Sequence, residues 1–325
     1  MFNSTSHIFL TGGTGFFGKA LLRRLQDLGE DAPRVTVLSR QPERFATMHP
    51  DLANLVEWVS GDILDPTSLP FSFKFTHILH AATDSTLGSQ LSPIERYEQI
   101  VDGTRNILDL AVKTGASRFL LTSSGAVYGS QPQWMNQIPE DYHGMPDPLN
   151  TENVYGIAKR IAENLCAIYQ KRHGLSTVIA RCFTFVGRDL PLDAHFAVGN
   201  FMRNALAGND ILVQGDGTPI RSYMDQEDMA HWLLTLLVRG RAGHAYNVGS
   251  DEAISIGTLA YTIRDLIAPS VSIKFMHASM SNTHRNIYIP SIQKAKEELR
   301  LELFKSLPEA IKNTIIYLKQ KHSPN

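Results

Sequence analysis

Three features of this sequence predict an α/β fold built on a doubly wound parallel sheet. Short runs rich in Val, Ile and Leu recur along the first half: "HIFLTG", "RVTVLSR", "VEWVSGD", "HILHAA", "RFLLTSS" and "STVIARCF". They are almost continuously apolar rather than alternating, as suits parallel strands covered on both faces. Longer helical patterns separate them, at 16–28, 94–114 and 153–173. Strand and helix therefore alternate.

With 325 residues, 43% of them hydrophobic, the chain can bury one large core and a smaller one. The alternation loosens after residue 184, where "GRDLPLDAHFAVGN" is rich in turn residues. The expected organisation is a first domain of 1–184, rejoined by 226–250 through "HAYNVGS" as a further strand. A smaller α/β region, 185–325, is interleaved with it, and the cleft between the two would take a substrate.

Bulk properties exclude several classes. Formal net charge is −1, with 31 basic and 32 acidic side chains, so no nucleic-acid footprint is present. No window approaches about eighteen uninterrupted apolar residues, which argues against a membrane span. The start "MFNSTSHIFLTGG" lacks the basic and apolar regions of a signal peptide. The two cysteines, Cys166 and Cys182, sit in apolar runs and read as core residues of a reducing compartment. A cytoplasmic location is expected.

"FLTGGTGFFGKALLRRL" carries Gly12, Gly15 and Gly18, with Phe16 and Phe17 between the last two. This G-x-x-G-x-x-G turn follows a strand and opens an amphipathic helix, the setting of a dinucleotide fingerprint. Glycines allow the tight turn and close backbone approach, and the helix N-terminus then faces a pyrophosphate. A Rossmann-like NAD(P)-binding domain is expected. The second strand ends at Ser39 and Arg40 instead of the carboxylate that would bond both ribose hydroxyls. A cation there suits a 2′-phosphate, which favours NADP over NAD. Asp62 and Ile63 in "GDILD" are placed to receive the adenine, and Ala81 and Ala82 in "HAATD" to let backbone approach the cofactor.

"NVYGIAKR" places Tyr155 and Lys159 one helical turn apart on one face, and "LLTSSGAVYG" brings hydroxyls to a strand end. Together with "TGGTGFFG", "GTRNILDLA", "GDGTPIRSY", "DMA" and "YNVGS", in that order, these motifs span nearly the full chain. The set resembles the extended short-chain dehydrogenase/reductase family, and within it the NAD(P)-dependent nucleotide-sugar epimerases and dehydratases. That resemblance implies a catalytic set of Ser124, Tyr155 and Lys159. Tyrosine would take a proton from a sugar hydroxyl as hydride leaves for the nicotinamide. A free phenol, with pKa near 10, is too weak a base at neutral pH, and a neighbouring lysine cation favours the phenolate. The resemblance also places Thr83, Tyr155 and Lys159 on the cofactor. It assigns Thr184, Asn200, Arg221 and Arg285 to the substrate, the arginines offering fork-like donors to a diphosphate. His195, in the same loop as Asn200, is expected to be structural.

Three departures from the family pattern narrow the reaction. The 4,6-dehydratases carry an Asp–Glu pair after the catalytic hydroxyl residue, and decarboxylases keep a glutamate nearby; here Gly125 and Ala126 follow Ser124. Neither can exchange a proton, so elimination and decarboxylation are disfavoured. The family's helix asparagine is Ile100, with Gln99 beside it, so whatever that asparagine supports near the lysine must come from elsewhere. Its substrate-facing asparagine in R-x-F-N is Thr184, in "RCFT".

The twelve histidines lack metal-ligand spacing, so no catalytic metal is expected. No G-x-S-x-G is present for a serine hydrolase. The expected function is hydride transfer at a ring carbon, C4, of a nucleoside-diphosphate sugar. A 4-epimerase leads, with an NADPH-dependent 4-keto-sugar reductase as the alternative and a non-catalytic dinucleotide-binding protein far behind. The family implies a homodimer through helices 94–114 and 153–173.

Overall fold

The computed structural model describes residues 2–3, 5–83, 90–194, 196–276 and 287–322. Seven of its strands form one sheet: β1 (His7–Thr11), β2 (Arg34–Ser39), β3 (Glu57–Ser60), β4 (His77–His80), β5 (Arg118–Ser124), β6 (Ser176–Cys182) and β7 (His244–Val248). Their order is β7-β6-β5-β4-β1-β2-β3 and every pairing is parallel. All six apolar runs are strands, and "HAYNVGS" supplies the seventh.

The order reverses at β1, which pairs with β2 on one side and β4 on the other. In such sheets the crevice beyond the strand ends at this reversal is where ligands bind. Side chains alternate between two cores. Ile8 and Leu10 of β1 join Leu21, Leu22, Trp232 and Leu233 on one face, contributed by α1 (Phe16–Gln26) and α5 (Gln226–Arg239). Phe9 joins Ile107, Leu108, Ala158 and Ala162 on the other, beneath α2 (Pro93–Thr114) and α3 (Val154–His173).

The helix limits follow local chemistry. α2 begins at Pro93 behind a capping box made by Ser92 and Glu95, and both α2 and α3 stop at left-handed glycines, Gly115 and Gly174. α1 ends at Gln26, two residues short of the expected 28, and α3 begins at Val154 because Thr151–Asn153 is a 3-10 turn.

A third core lies in the C-terminal part, among α4 (Ala197–Leu206), α6 (Ile256–Ile267) and α7 (Leu307–His322). Short strands tie this part together. Ile211–Gln214 pairs with Ile273–Met276, and Ile220–Arg221 lies between Ile254–Ser255 and Ile287–Tyr288. It is joined to α1 by a buried ion cluster. Asp189, 3% exposed, accepts from both guanidinium nitrogens of Arg23 and from Gln226, with Lys19 at 3.3 Å. Burial opposes ionisation of Asp189, but the Arg23 hydrogen bonds and the Lys19 and Arg23 charges outweigh it and hold the carboxyl at about 2.

A carboxyl held below its unfolded value of 3.8 stabilises the fold above that pH and loses the effect as pH falls towards 2. Asp189→Asn is therefore expected to cost about 2 kcal/mol at pH 7 and almost nothing at pH 2. Urea unfolding at several pH values reads the difference directly.

Candidate active site at the strand ends

The glycine turn forms a cradle at the reversal. Gly12 has φ +76°, and a Cβ there would stand 2.4 Å from the Ala81 carbonyl oxygen. A Cβ on Gly18 would strike the Gly13 backbone at 2.2 Å. These positions need glycine for close packing of β1, α1 and β4. Gly15 differs: it is exposed, and a Cβ would meet only Gly12 O, at 3.5 Å. Gly15 caps α1 without any side-chain acceptor, and no acidic residue occupies the first turn. An open space in front of the first amides of α1 fits the pyrophosphate of a dinucleotide.

The remaining residues singled out for the cofactor lie along the same edge. Phe16 and Phe17 are half-buried and pack with Phe185. Ser39 closes β2 and accepts from Gln41 N at 3.2 Å, while Arg40 is exposed beyond it. Asp62 is half-buried, with Oδ1 accepting from Leu64 N, and Ile63 packs under Gly103 of α2. Thr11 Oγ1 accepts from the amides of Ala81 and Ala82, which fixes the segment leading to Thr83.

Ser124 is the last residue of β5, and its Oγ accepts from Ala126 N at 3.1 Å. That bond caps the turn Gly125–Tyr128 and leaves the hydroxyl its own proton to donate. Tyr155 stands in the first turn of α3. The next residue, Gly156, brings the helix onto this turn, since a Cβ there would be 2.6 Å from Ala126 O. Lys159, 2% exposed, follows one turn later, with Nζ 5.9 Å from the Tyr155 ring centroid.

Lys159 Nζ donates to Thr122 O at 2.7 Å and to Thr83 Oγ1 at 2.8 Å. Thr83, expected only to face the cofactor, thus helps to hold the lysine, and Ile100 is buried in the core. Burial lowers the Lys159 pKa to about 8; Cys182 and Glu163 oppose the shift and Arg96 adds to it. His80, buried beside Thr11, is kept neutral near 3 by burial and by the Lys159 charge.

Two contacts here had no signal in the sequence pattern. A Cβ on Gly125 would stand 2.4 Å from the Tyr288 hydroxyl and 2.7 Å from the Phe183 ring, so that position is closed to any side chain. Arg96 of α2 lies over Tyr155, Cζ 4.7 Å from the ring centroid. Both partners are too far along the chain for spacing to link them.

The residues expected to hold substrate lie on the C-terminal side. Thr184 Oγ1 donates to Ser222 O, which sets it beside the strand carrying Arg221. Arg221 is half-buried on a strand paired at both edges. Asn200, on α4, donates to Ala194 O at 3.0 Å. Arg285 and His195 lie outside the described residues. A cavity of about 600 Å³ opens elsewhere, lined by Glu140, Glu163, Arg181 and Lys294 among others. None of the residues expected to hold cofactor or substrate lines it, and its charges are engaged, with Arg181 on Glu163 at 2.8 Å and Lys294 on Ala245 O at 2.8 Å.

The model of the NAD dependent epimerase/dehydratase family matches residues 8–249, most of the chain. This chain belongs to that family. Among curated proteins it is 31% identical over 304 residues to UDP-glucuronic acid decarboxylase 5 of Arabidopsis thaliana, covering 92% of this chain and 85% of that protein. It is 30% identical over 319 residues to UDP-glucuronic acid decarboxylase 1 of Danio rerio, covering 97% and 73%. Its fold matches UDP-glucose 4-epimerase of Thermotoga maritima with UDP-glucose, at TM-score 0.84 and 21% identity, over 98% of this chain and all of that one. UDP-glucuronic acid 4-epimerase of Bacillus cereus, in complex with UDP-glucuronic acid and NAD, matches at 0.82 and 22%, over 97% and 100%. The chain is thus an enzyme of the NAD-dependent epimerase/dehydratase type. No helix among the described residues is long and apolar enough to cross a membrane.

Burying a lysine whose folded pKa lies below 10.5 weakens the fold below about pH 8, and the cost fades as pH rises towards 10.5. Lys159→Met is therefore expected to raise the melting temperature of the cofactor-free protein at pH 7, by less at pH 9. Thermal denaturation across that range checks it, and a lower melting temperature at pH 7 would refute the account.

Proposed function

We propose that this chain is a nucleotide-sugar 4-epimerase, working by hydride transfer at C4 of a nucleoside-diphosphate sugar. The observation that carries this reading is the closed position after Ser124. Elimination or decarboxylation of the family's kind needs an acid–base group beside the catalytic hydroxyl. Here Gly125 has no side chain, Tyr288 and Phe183 fill the space, and the next residue is the buried Ala126. Redox chemistry needs no such group.

In this reading Gly12, Gly15, Gly18 and the first amides of α1 hold the pyrophosphate. Asp62 and Ile63 meet the adenine, and the backbone of Ala81, Ala82 and Thr83 lines the path to the nicotinamide. The bound dinucleotide supplies a reversible hydride acceptor. Tyr155 takes the proton from the sugar hydroxyl, Ser124 donates to the same oxygen, and Lys159 favours the phenolate. Thr184, Asn200 and Arg221 hold the sugar nucleotide, with Arg285 as a second arginine on the diphosphate.

The exposed Arg40 beside Ser39 supports NADP and, with it, a second reading as an NADPH-dependent 4-keto-sugar reductase. The apolar Ile94 and Ile168, 71% and 48% exposed on α2 and α3, support a homodimer through these helices. The free, buried Cys166 and Cys182 suit a cytoplasmic setting.

The deciding experiment incubates the purified protein with UDP-glucose and, separately, UDP-glucuronic acid, each with NAD or NADP, and weighs the products. An isomer of unchanged mass supports the epimerase, and loss of carbon dioxide would sink it. Turnover of a 4-keto sugar only with stoichiometric NADPH would favour the reductase. Tyr155→Phe is expected to lower turnover by roughly 10²–10⁴-fold while dinucleotide binding, read by fluorescence titration, survives.

A further inference from the structure

The ring of Tyr155 carries a second cation besides Lys159. Arg96 Cζ lies 4.7 Å from the ring centroid, nearer than the 5.9 Å of Lys159 Nζ. The start of α2 holds it there. Pro93 and the Ser92–Glu95 capping box fix the first turn, and Ile100, one turn beyond Arg96 on the same face, is buried in the core. Arg96 therefore faces α3 across the helix pair. Its Nε is buried and has no hydrogen-bond partner among the described residues. A buried guanidinium nitrogen left in this state costs stability, and the contact of the cation with the Tyr155 ring offsets part of that cost.

We propose that Arg96 is a positioning residue for the tyrosine base, holding the ring plane and stabilising the phenolate through its permanent charge. The inference rests on Tyr155 being the general base. A cation over an aromatic face is attracted to the ring, and more strongly once the ring carries the negative charge of a phenolate. Arginine and lysine divide the task. Lys159 has lost half of its charge by about pH 8, whereas a guanidinium is a permanent cation in proteins.

The other titratable groups around the Tyr155–Lys159 pair are neutral or paired with other side chains. His80 from β4 is neutral, and burial raises the thiols of Cys182 from β6 and Cys166 from α3, so both stay protonated. Glu163 on α3 is engaged by Arg181 and by Ser123. Two cations thus act on Tyr155, one from its own helix and one from the helix opposite.

The test needs no nucleotide sugar. Protein labelled with ¹³C at the tyrosine ζ carbon is titrated by NMR, and the Tyr155 signal is assigned among the ten tyrosines by its loss in Tyr155→Phe. Arg96→Gln is expected to raise the Tyr155 midpoint by about one pH unit, a tenfold weaker acid. Arg96→Lys, which keeps a charge, is expected to recover at least half of the shift. Repeating the pair in a Lys159→Met background separates the arginine from any response of the lysine. An unmoved midpoint in folded Arg96→Gln protein overturns the proposal, as does a Lys variant that behaves like the Gln one. If the base itself is misassigned, Tyr155→Phe keeps its activity, an outcome distinct from an unmoved midpoint.

Discussion

A buried ammonium is costly to maintain, and much of this molecule is arranged around one. Lys159 is 2% exposed, and its compensation is a backbone carbonyl at the end of β5 and a hydroxyl just past β4. Those two acceptors exist only if β4 and β5 lie side by side, with α3 laid across their ends. The sheet order, the helix crossing and the position of the lysine are therefore one constraint. Removing water from the ammonium also strengthens its field at the neighbouring phenol. The expense in stability and the chemical use have the same origin.

Helix α3 delivers this arrangement through a single stripe. Tyr155, Gly156, Lys159, Arg160 and Glu163 recur at the spacing of one helical face. Gly156 seats the helix on Ala126, and Arg160 donates to Val127 O at 3.0 Å and Gly144 O at 2.9 Å. Glu163 accepts from Ser123 at 2.5 Å and pairs with Arg181 of β6. Arg181 continues to the Tyr128 hydroxyl, which donates to Asn247 of β7, and Asn247 Nδ2 donates to Ile138 O and Ser291 O. One polar chain thus runs from beside Ser124, across the sheet, to the loop at Ile138 and to Ser291 near the C-terminal end.

The fold was largely legible from local pattern, and the reason is physical. A parallel sheet buried on both faces writes its strands as apolar runs, and a strand–glycine–helix turn announces its purpose in a few adjacent residues. The triplet of Ser124, Tyr155 and Lys159 rests on the resemblance to a known family. Local pattern alone shows only a tyrosine and a lysine one helical turn apart and hydroxyls at a strand end. What could not be read depends on tertiary approach. Arg96 and Tyr155 belong to different helices, and Tyr288 reaches Gly125 from a strand near the far end of the chain. The place of Thr83 under Lys159 was hidden for the same reason. The ends of α1 and α3 shifted by one or two residues because turn geometry, not apolar periodicity, sets them.

The seventh strand has a consequence for how the chain can be divided. β7 arrives only after the chain has left the sheet at residue 182 and built α4 and α5. Until it docks, the full seven-residue length of β6 is an open edge with unpaired amides and carbonyls, flanked by Val178, Ile179 and Ala180. Such an edge is a template for pairing with other chains. A fragment ending near 184 would hold every residue of the glycine turn and of Ser124, Tyr155 and Lys159, yet would expose that edge permanently. During synthesis the same edge stays bare until roughly sixty more residues have been added, which makes this interval the one in which the chain most needs protection from its neighbours.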